Sequence, residues 1–369
     1  MGGGGAERTV ANLANYWCSK GWNITIVTFG SNEILDNDFY YLSDKISRIN
    51  LSPRREINQD ENTGIYLNVK RVLNFVRIIR DVQPDTVIGM MTGGIVLAAL
   101  ASLFPYKKRP FIIGSERTNP ARQNLRPILT ILRKYGYGLV DCIVSVTSGI
   151  EDWVLANTNT KKSVVIPNAI KFPLDVFEPK LDPSIVCHEG RKILLAVGRL
   201  SSEKQFELLI NVFKKIANIY SDWDLVIAGV GPLIEALQSQ VKDSGLKDRV
   251  FFTGRVGNIS DWYIRANAYV LCSSFEGFPN SLLEAMAHGK PSVSFDCDTG
   301  PRDIIKNNIN GLLVNDMTFD GLYDSLTKLI DDDLLMDFLS NNAIKVREDF
   351  SLEFTVKKWE KIINNKKND

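Results

Sequence analysis

Short apolar runs alternate with longer amphipathic stretches along the whole chain. In the first half, apolar runs at 23–29, 85–90, 110–115, 141–146 and 163–166 read as strands. In the second half, runs at 192–197, 224–228, 250–253, 268–272 and 291–295 read the same way. Between them, 63–81, 203–220 and 280–288 repeat apolar residues at helical spacing. Strands alternating with helices predict parallel sheets flanked by helices, an α/β fold. Two such series imply two doubly wound domains. The break falls at Pro167-Asn168-Ala169-Ile170 and the poorly patterned stretch to Gly190. A last amphipathic helix, 352–363, carries Phe354, Val356, Trp359 and Ile362 on one face, and a Lys-rich end follows that is expected to fray. The predicted division is 1–168, 169–350 and a terminal segment 351–369 packing back on the first domain.

The pattern at the start is unusual. Met1 is followed at once by Gly2-Gly3-Gly4-Gly5-Ala6-Glu7 and then a helical pattern. A glycine-rich turn opening a helix normally follows a strand. No strand precedes it here, so the first strand of the N-terminal sheet is expected to be missing.

Length and charge sharpen this picture. The 369 residues exceed one ordinary core and suit two domains. A net charge of +1 makes no case for a nucleic-acid partner. The first 180 residues carry about six more Lys/Arg than Asp/Glu, and the remainder is acidic by about five. Lys107, Lys108, Arg109, Arg117, Arg122, Arg126, Arg133 and Lys134 crowd one stretch with Glu116 as its only acid. Arg122, Arg126 and Arg133 recur at helical spacing, which predicts a face toward an anionic membrane or a lipid diphosphate; a solvated helix face is the alternative. Five scattered cysteines without a CxxC pair read as reduced and buried, as in a cytoplasmic protein. No apolar run is long enough to span a bilayer, so any membrane contact is expected to be peripheral.

Three motifs carry chemistry. Gly4-Gly5-Ala6-Glu7 lets backbone approach a ligand at a helix start, where amides favour phosphate; a plain flexible terminus is the alternative. Gly198-Arg199-Leu200-Ser201-Ser202-Glu203-Lys204 follows a strand, which puts Arg199 and Lys204 beyond its carboxyl end, where such sheets bind ligands. A planar guanidinium and a point-charge ammonium suit a diphosphate. The third motif runs from Phe275-Glu276-Gly277-Phe278-Pro279-Asn280 through Ser281-Leu282-Leu283-Glu284 to His288-Gly289. It places Glu276 in a loop and Glu284 on a helix begun by Pro279 and ended by Gly289. The first-turn amides of Asn280, Ser281 and Leu282 would face an anion. One carboxylate in a loop and one on a helix can grip two sets of hydroxyls on one ligand.

With Ile166-Pro167-Asn168-Ala169, Ala228-Gly229-Val230-Gly231-Pro232, Gly254-Arg255-Val256, Gly300-Pro301-Arg302-Asp303 and Asn310-Gly311-Leu312-Leu313-Val314, these motifs fall in an order that resembles family 4 glycosyltransferases, particularly bacterial surface-polysaccharide members. The resemblance covers nearly the whole chain. It implies the GT-B architecture, two doubly wound Rossmann-like domains with a cleft between them. The N-terminal domain would bind the acceptor and the C-terminal domain the nucleotide sugar. Arg199 and Lys204 would neutralise the donor diphosphate, Glu276 would bind the donor sugar, Glu284 the ribose, and backbone near Val256 the base. Gly4 and Gly5 would approach the phosphate. The implied reaction is transfer, with retention, of a hexose or N-acetylhexosamine from a nucleotide-diphosphate sugar, most often a UDP-sugar, to a glycan or lipid-linked acceptor. No metal cofactor is implied, and the setting would be the cytoplasm or the inner face of the membrane. A nucleotide-sugar-binding protein without transferase activity and a UDP-sugar epimerase are the competing readings.

One departure stands out. Many relatives carry a histidine after the N-domain strand, where this chain reads Ser115-Glu116-Arg117-Thr118. Glu116 and Arg117 are therefore acceptor-side candidates, but an arginine cannot act as a base at neutral pH. Two D-x-D sequences, Asp222-Trp223-Asp224 and Asp296-Cys297-Asp298, resemble the metal-holding pairs of a different transferase fold. Asp222 precedes a strand, at the wrong end for a ligand. His188 and His288 have no Ser or Cys partner at a triad spacing.

Overall fold

The computed structural model describes residues 4–29, 40–51 and 63–364. Residues 1–3 of the glycine-rich start and the Lys-rich end after 364 lie outside the described residues. The chain forms two compact units, Met1–Ala169 with Thr355–Asp369, and Ile170–Phe354.

The first unit runs α1 (Gly5–Ser19), β1 (Thr25–Thr28), β2 (Ser47–Asn50), α2 (Thr63–Val82), β3 (Thr86–Met90), α3 (Met91–Ala101), β4 (Phe111–Glu116), α4 (Pro127–Gly136), β5 (Cys142–Ser145), α5 (Ser148–Asn157) and β6 (Ser163–Val165). All its strand pairs are parallel, as β–α alternation requires. Among the described residues they form two sheets, β1-β2 and β3-β4-β5-β6, with no strand pairing between β1 and β3. β4 and β5 are buried on both faces. The helix at the far end of the sequence, α15 (Leu352–Asn364), contributes Trp359, fully buried and edge-on to Trp17 of α1 with ring centroids 6.4 Å apart.

The second unit runs α6 (Pro183–Val186), β7 (Lys192–Val197), α7 (Phe206–Ile219), β8 (Trp223–Ala228), α8 (Ile234–Asp243), β9 (Val250–Gly254), α9 (Ile259–Arg265), β10 (Ala268–Leu271), α10 (Asn280–Ala287), β11 (Ser292–Phe295), α11 (Pro301–Ile304), β12 (Leu312–Val314), α12 (Phe319–Asp331), α13 (Asp333–Ala343) and α14 (Val346–Asp349). Its parallel sheet has the order β12-β11-β10-β7-β8-β9. The core joins Leu194 and Ala196 of β7, Leu225 and Ile227 of β8, Leu209, Phe213 and Ile216 of α7, and Leu322, Leu326 and Leu329 of α12. The strand order matters for function. From β7 the chain winds outward through β8 and β9, then returns to lay β10 on the other side of β7. Between β7 and β10 lies the topological switch point, where the loops after the two strands diverge and leave a crevice at their carboxyl ends.

The sequence reading needs two local corrections. The helix expected from Glu203 does not start there. Ser202–Lys204 form a single 3-10 turn, Gln205 takes a left-handed conformation (φ 50°), and α7 begins at Phe206. This break sets Lys204 apart from the helix and lets its side chain point over the strand ends. Strands β2 and β12 were not anticipated, being short and, for β2 (Ser-Arg-Ile-Asn), half polar.

Candidate functional site

The two strongest motifs occupy the two loops that flank the switch point. After β7, Gly198 and Arg199 lead into the 3-10 turn, and the Arg199 side chain is exposed. After β10, residues 272–279 form the loop and α10 follows. Lys204 Nζ and Glu276 Oε1 meet across these loops at 2.5 Å, with both side chains largely buried. Glu276 is held from two more directions. Ser273 Oγ donates to the same carboxylate oxygen at 2.7 Å, and Thr299 Oγ1 donates to the Glu276 carbonyl at 2.5 Å. The loops are also joined through backbone, since the Ser274 amide donates to the Glu203 carbonyl at 2.8 Å.

Glycines shape the first loop. A Cβ on Gly231 would lie 2.3 Å from the Leu200 carbonyl oxygen and 2.5 Å from its nitrogen, and one on Gly229 would meet the Gly198 carbonyl. The Leu200 amide donates to the Val230 carbonyl at 3.0 Å, and the Leu233 amide to the Leu200 carbonyl at 3.1 Å. The loop after β8 therefore acts as the floor on which the Arg199 loop is pressed, at a distance only glycine permits.

On α10, Glu284 is buried and its Oε2 accepts from the Tyr263 hydroxyl at 3.1 Å. The same Tyr263 hydroxyl lies 3.1 Å from the Ser281 carbonyl, so its one proton is shared between the two acceptors, while the Tyr269 hydroxyl reaches Ser281 Oγ at 2.9 Å. Burial pushes the Tyr269 phenol far above its usual range, so it stays a neutral donor. Gly289 ends the helix in a left-handed conformation (φ 69°). His288 Nδ1 lies 2.7 Å from the Glu284 carbonyl, and its ring stacks on Tyr263. One expected donor is corrected. The Leu282 amide is spent on the Pro279 carbonyl at 3.1 Å, and its side chain is in the core, so it does not face an anion. Asn280 and Ser281 remain at the partly exposed first turn, and Val256 lies partly exposed between β9 and α9. Cys272 and Cys297 are buried, and burial pushes both thiols up to about 12, so neither is a thiolate nucleophile near neutral pH.

In the first unit, Gly4 caps α1 and is exposed, as is Gly5. The acceptor-side candidates lie deeper than the sequence implied. Glu116 is fully buried at the end of β4. It accepts from the Tyr137 hydroxyl at 2.6 Å, from Thr92 and Thr118 Oγ1 at 3.0 Å each, and from the Arg117 amide at 3.1 Å. Arg117 is also buried, not a surface arginine. Its Nε donates to Ser115 Oγ at 2.7 Å, its Nη1 to Asn168 Oδ1 at 2.8 Å, and its guanidinium sits over the Trp359 ring. Nη2 is buried without a hydrogen-bond partner. Burial lowers the Arg117 pKa to about 9, against the opposing charge of Glu116, and leaves it cationic at neutral pH. Glu116 thus gathers these donors, the Arg117 amide among them, around a fully buried carboxylate.

The basic stretch needs correction too. Arg133 is buried, donates to the Pro120 carbonyl at 3.2 Å and lies over the Trp153 ring, so it does not share a face with Arg122 and Arg126. Lys108 and Arg109 pair with Asp85 and Asp141. Arg122, Arg126 and Lys134 are exposed, with Arg122 on a separate 3-10 turn and Arg126 capping α4. The D-x-D at 222–224 is structural. Asp224 is fully buried under Arg191 Nε and Arg249 Nε, each at 2.8 Å, and Asp222 pairs with Lys192. Asp296 pairs with Arg302 at 2.8 Å.

Sequence reasoning missed Ser273, Tyr263 and Tyr269. Ser273 carried a faint signal, standing three residues before Glu276; the tyrosines carried none.

Comparison with known proteins adds two family matches. Residues 178–346 match the family model described as glycosyl transferases group 1, and residues 3–172 match glycosyltransferase family 4. A Campylobacter jejuni alpha-1,4-N-acetyl-D-galactosaminyltransferase, named for GalNAc-alpha-(1->4)-GalNAc-alpha-(1->3)-diNAcBac-PP-undecaprenol, is 29% identical over 100% of this chain and 97% of its own. The lipopolysaccharide 1,6-galactosyltransferase of Salmonella typhimurium is 25% identical over 89% of this chain and 87% of its own. Among solved structures, HepE from Anabaena in complex with UDP superposes with a TM-score of 0.77 over 99% of this chain and 97% of its own, at 16% identity.

Proposed function

The chain belongs to the family 4 glycosyltransferases of GT-B fold, and on that premise we propose that it transfers a hexose or N-acetylhexosamine from a UDP-sugar to a glycan or lipid-linked acceptor, with retention at the anomeric carbon. The observation that carries this reading is the convergence of Arg199, Lys204 and Glu276 on the two loops flanking the β7/β10 switch point, with Glu284 on the helix that follows.

In the proposed arrangement, the cations of Arg199 and Lys204 take the donor diphosphate. The charge that develops on the departing nucleoside diphosphate is then met by groups already in place, which is where such sites gain most of their rate. Glu276, held by Ser273 and Thr299, receives the hydroxyls of the sugar, and Glu284, oriented by Tyr263, those of the ribose. Backbone at Val256 is assigned to the base. The partly exposed first turn of α10, at Asn280 and Ser281, is assigned to the anionic end of the donor. Gly4 and Gly5 at the exposed start of α1 are further candidates for a phosphate contact. Catalysis in this reading is positioning plus electrostatic stabilisation.

HepE was solved with UDP, and the Campylobacter relative is named for an acceptor on undecaprenyl diphosphate; both support the finer assignments. A lipid-linked acceptor would place the enzyme in the cytoplasm, peripherally at the inner face of the membrane. The test is a panel of nucleotide sugars screened by thermal shift, followed by transfer assays of wild type and Glu276→Ala. A UDP-sugar should stabilise both, and transfer should fall by at least about a hundredfold in the variant, because the sugar loses the carboxylate that positions it. Equal rates would reject the site.

A further inference from the structure

We propose that Phe172 and Arg347 are positioning residues for Glu284, acting through His288, and that they set how sharply the site distinguishes a ribose from a sugar without its hydroxyls. The inference deepens the donor reading and rests on it, because it takes Glu284 as the group that receives the ribose hydroxyls. The residues form a column. The Phe172 ring stands edge-on to the His288 ring with centroids 5.0 Å apart, and the His288 ring stacks on Tyr263 at 5.1 Å. The Tyr263 hydroxyl ends the column, 3.1 Å from Glu284 Oε2. A shift of Phe172 is therefore passed through His288 and Tyr263 to the carboxylate, because close-packed rings transmit displacement instead of absorbing it.

His288 holds the helix as well as the side chain. Its Nδ1 lies 2.7 Å from the Glu284 carbonyl, which can only accept, so Nδ1 carries the proton. Burial keeps the ring below the usual histidine pKa, so it stays neutral near pH 7. Arg347, on α14, closes the end of α10. Its Nε donates to the Ala287 carbonyl at 2.6 Å, where a cation meets the terminal carbonyls of the helix, and its guanidinium lies 3.9 Å over the Phe172 ring. One side chain thus fixes both Phe172 and the last turn of α10. The segment bearing Phe172 is anchored in turn. The Ile170 amide donates to the Phe350 carbonyl at 2.8 Å, and the Phe350 ring packs against Phe278 of the Glu276 loop with centroids 5.9 Å apart. Stability alone does not call for this arrangement. Phe172 is 37% exposed and Arg347 is exposed, so neither adds much to the core. What they share is Glu284: its carbonyl through His288, its helix end through Ala287 and its carboxylate through Tyr263.

The experiment is calorimetric titration of the full chain with UDP and with 2′,3′-dideoxy-UDP, which keeps the base and the diphosphate. Wild type should bind UDP about tenfold or more tighter, as charge-assisted bonds to Glu284 require. Phe172→Ala/Arg347→Ala should reduce that ratio to about threefold or less and leave the dideoxy affinity within about twofold. Phe172→Leu, which keeps apolar volume without the ring, should lower the ratio about threefold on its own and covers the case of a double variant that fails to fold. Phe172→Tyr keeps the ring and should keep the ratio. A helix cap with only a structural role would change both affinities together or neither. A wild-type ratio in the double variant or in Phe172→Leu overturns the proposal, as does an equal fall in both affinities or a Phe172→Tyr protein that loses the ratio. Wild type that binds the two nucleotides equally defeats the ribose role of Glu284 and this inference with it. A ratio present in wild type and unmoved by the substitutions defeats this inference alone and leaves the donor reading standing.

Discussion

Lys204 and Glu276 are ion-paired at 2.5 Å although 72 residues separate them in sequence. The donor reading gives these two residues different targets, the diphosphate and the sugar. Their ion pair neutralises both charges, so in the donor reading binding exchanges this pair for two ligand contacts. Glu276→Ala frees Lys204 for the diphosphate. Its affinity for UDP, which lacks the sugar, should equal or exceed that of wild type while transfer collapses. Lys204→Ala should weaken UDP by roughly tenfold or more, the loss of one charge-assisted contact. Calorimetric titration with UDP decides this, and a tenfold weaker UDP complex in Glu276→Ala would overturn the exchange.

The Arg199 loop owes its position to contacts the sequence displays only as glycines. Gly231→Ala sets a methyl group against the Leu200 backbone, which cannot swing aside as a side chain could. The strain should cost about 1–3 kcal/mol of stability. The larger effect should be on UDP, because the displaced loop carries Arg199. An affinity loss of about tenfold is expected, with KM for the donor rising accordingly. Full UDP affinity in a folded Gly231→Ala protein would show that the loop does not set the site.

How far the sequence disclosed this arrangement follows from what each signal depends on. The β7 and β10 runs are apolar and short, and strand-loop-helix order puts the following loop at the carboxyl end, so Arg199, Lys204 and Glu276 could be gathered from one chain pass. What the sequence could not disclose was pairing. Nothing in Ser-Ser-Glu-Lys distinguishes a helical first turn from a 3-10 turn closed by a left-handed Gln205, and that turn decides where Lys204 points. Arg133 sits at helical spacing from Arg126, yet its guanidinium turns inward over the Trp153 ring. Glu116 read as an acceptor-side candidate, and its burial was not legible; four donors from Thr92, Arg117, Thr118 and Tyr137 make that burial tolerable.

Asp224 should matter for folding and not for a metal. It compensates Arg191 and Arg249 at a fully buried position in β8. Asp224→Ala leaves two guanidinium groups without their counter-charge and should destabilise the second unit by roughly 3–5 kcal/mol. Transfer by wild type should survive a chelator within about twofold, since Arg199 and Lys204 supply the positive charge that a metal supplies elsewhere. Denaturant melts and an assay in EDTA check both halves. A chelator-sensitive rate restored by a divalent cation would refute the second.

Glu116 should behave as the keystone of the first unit and not as a group that meets ligand. Its carboxylate gathers Tyr137, Thr92, Thr118 and the Arg117 amide, and its charge offsets a guanidinium that burial drives down to about 9. Glu116→Ala removes the acceptor from four donors and the counter-charge from Arg117. A loss of roughly 3–5 kcal/mol is expected, which lowers Tm by about 10 °C for a unit of this size. Glu116→Gln keeps an acceptor oxygen and should recover part of that loss. UDP affinity, measured well below the transition, should stay within about threefold of wild type, because the donor residues proposed here lie mainly in the other unit. Unchanged melting in Glu116→Ala would remove the structural role. A large drop in kcat in a Glu116→Gln protein of near-native stability would return Glu116 to the acceptor chemistry.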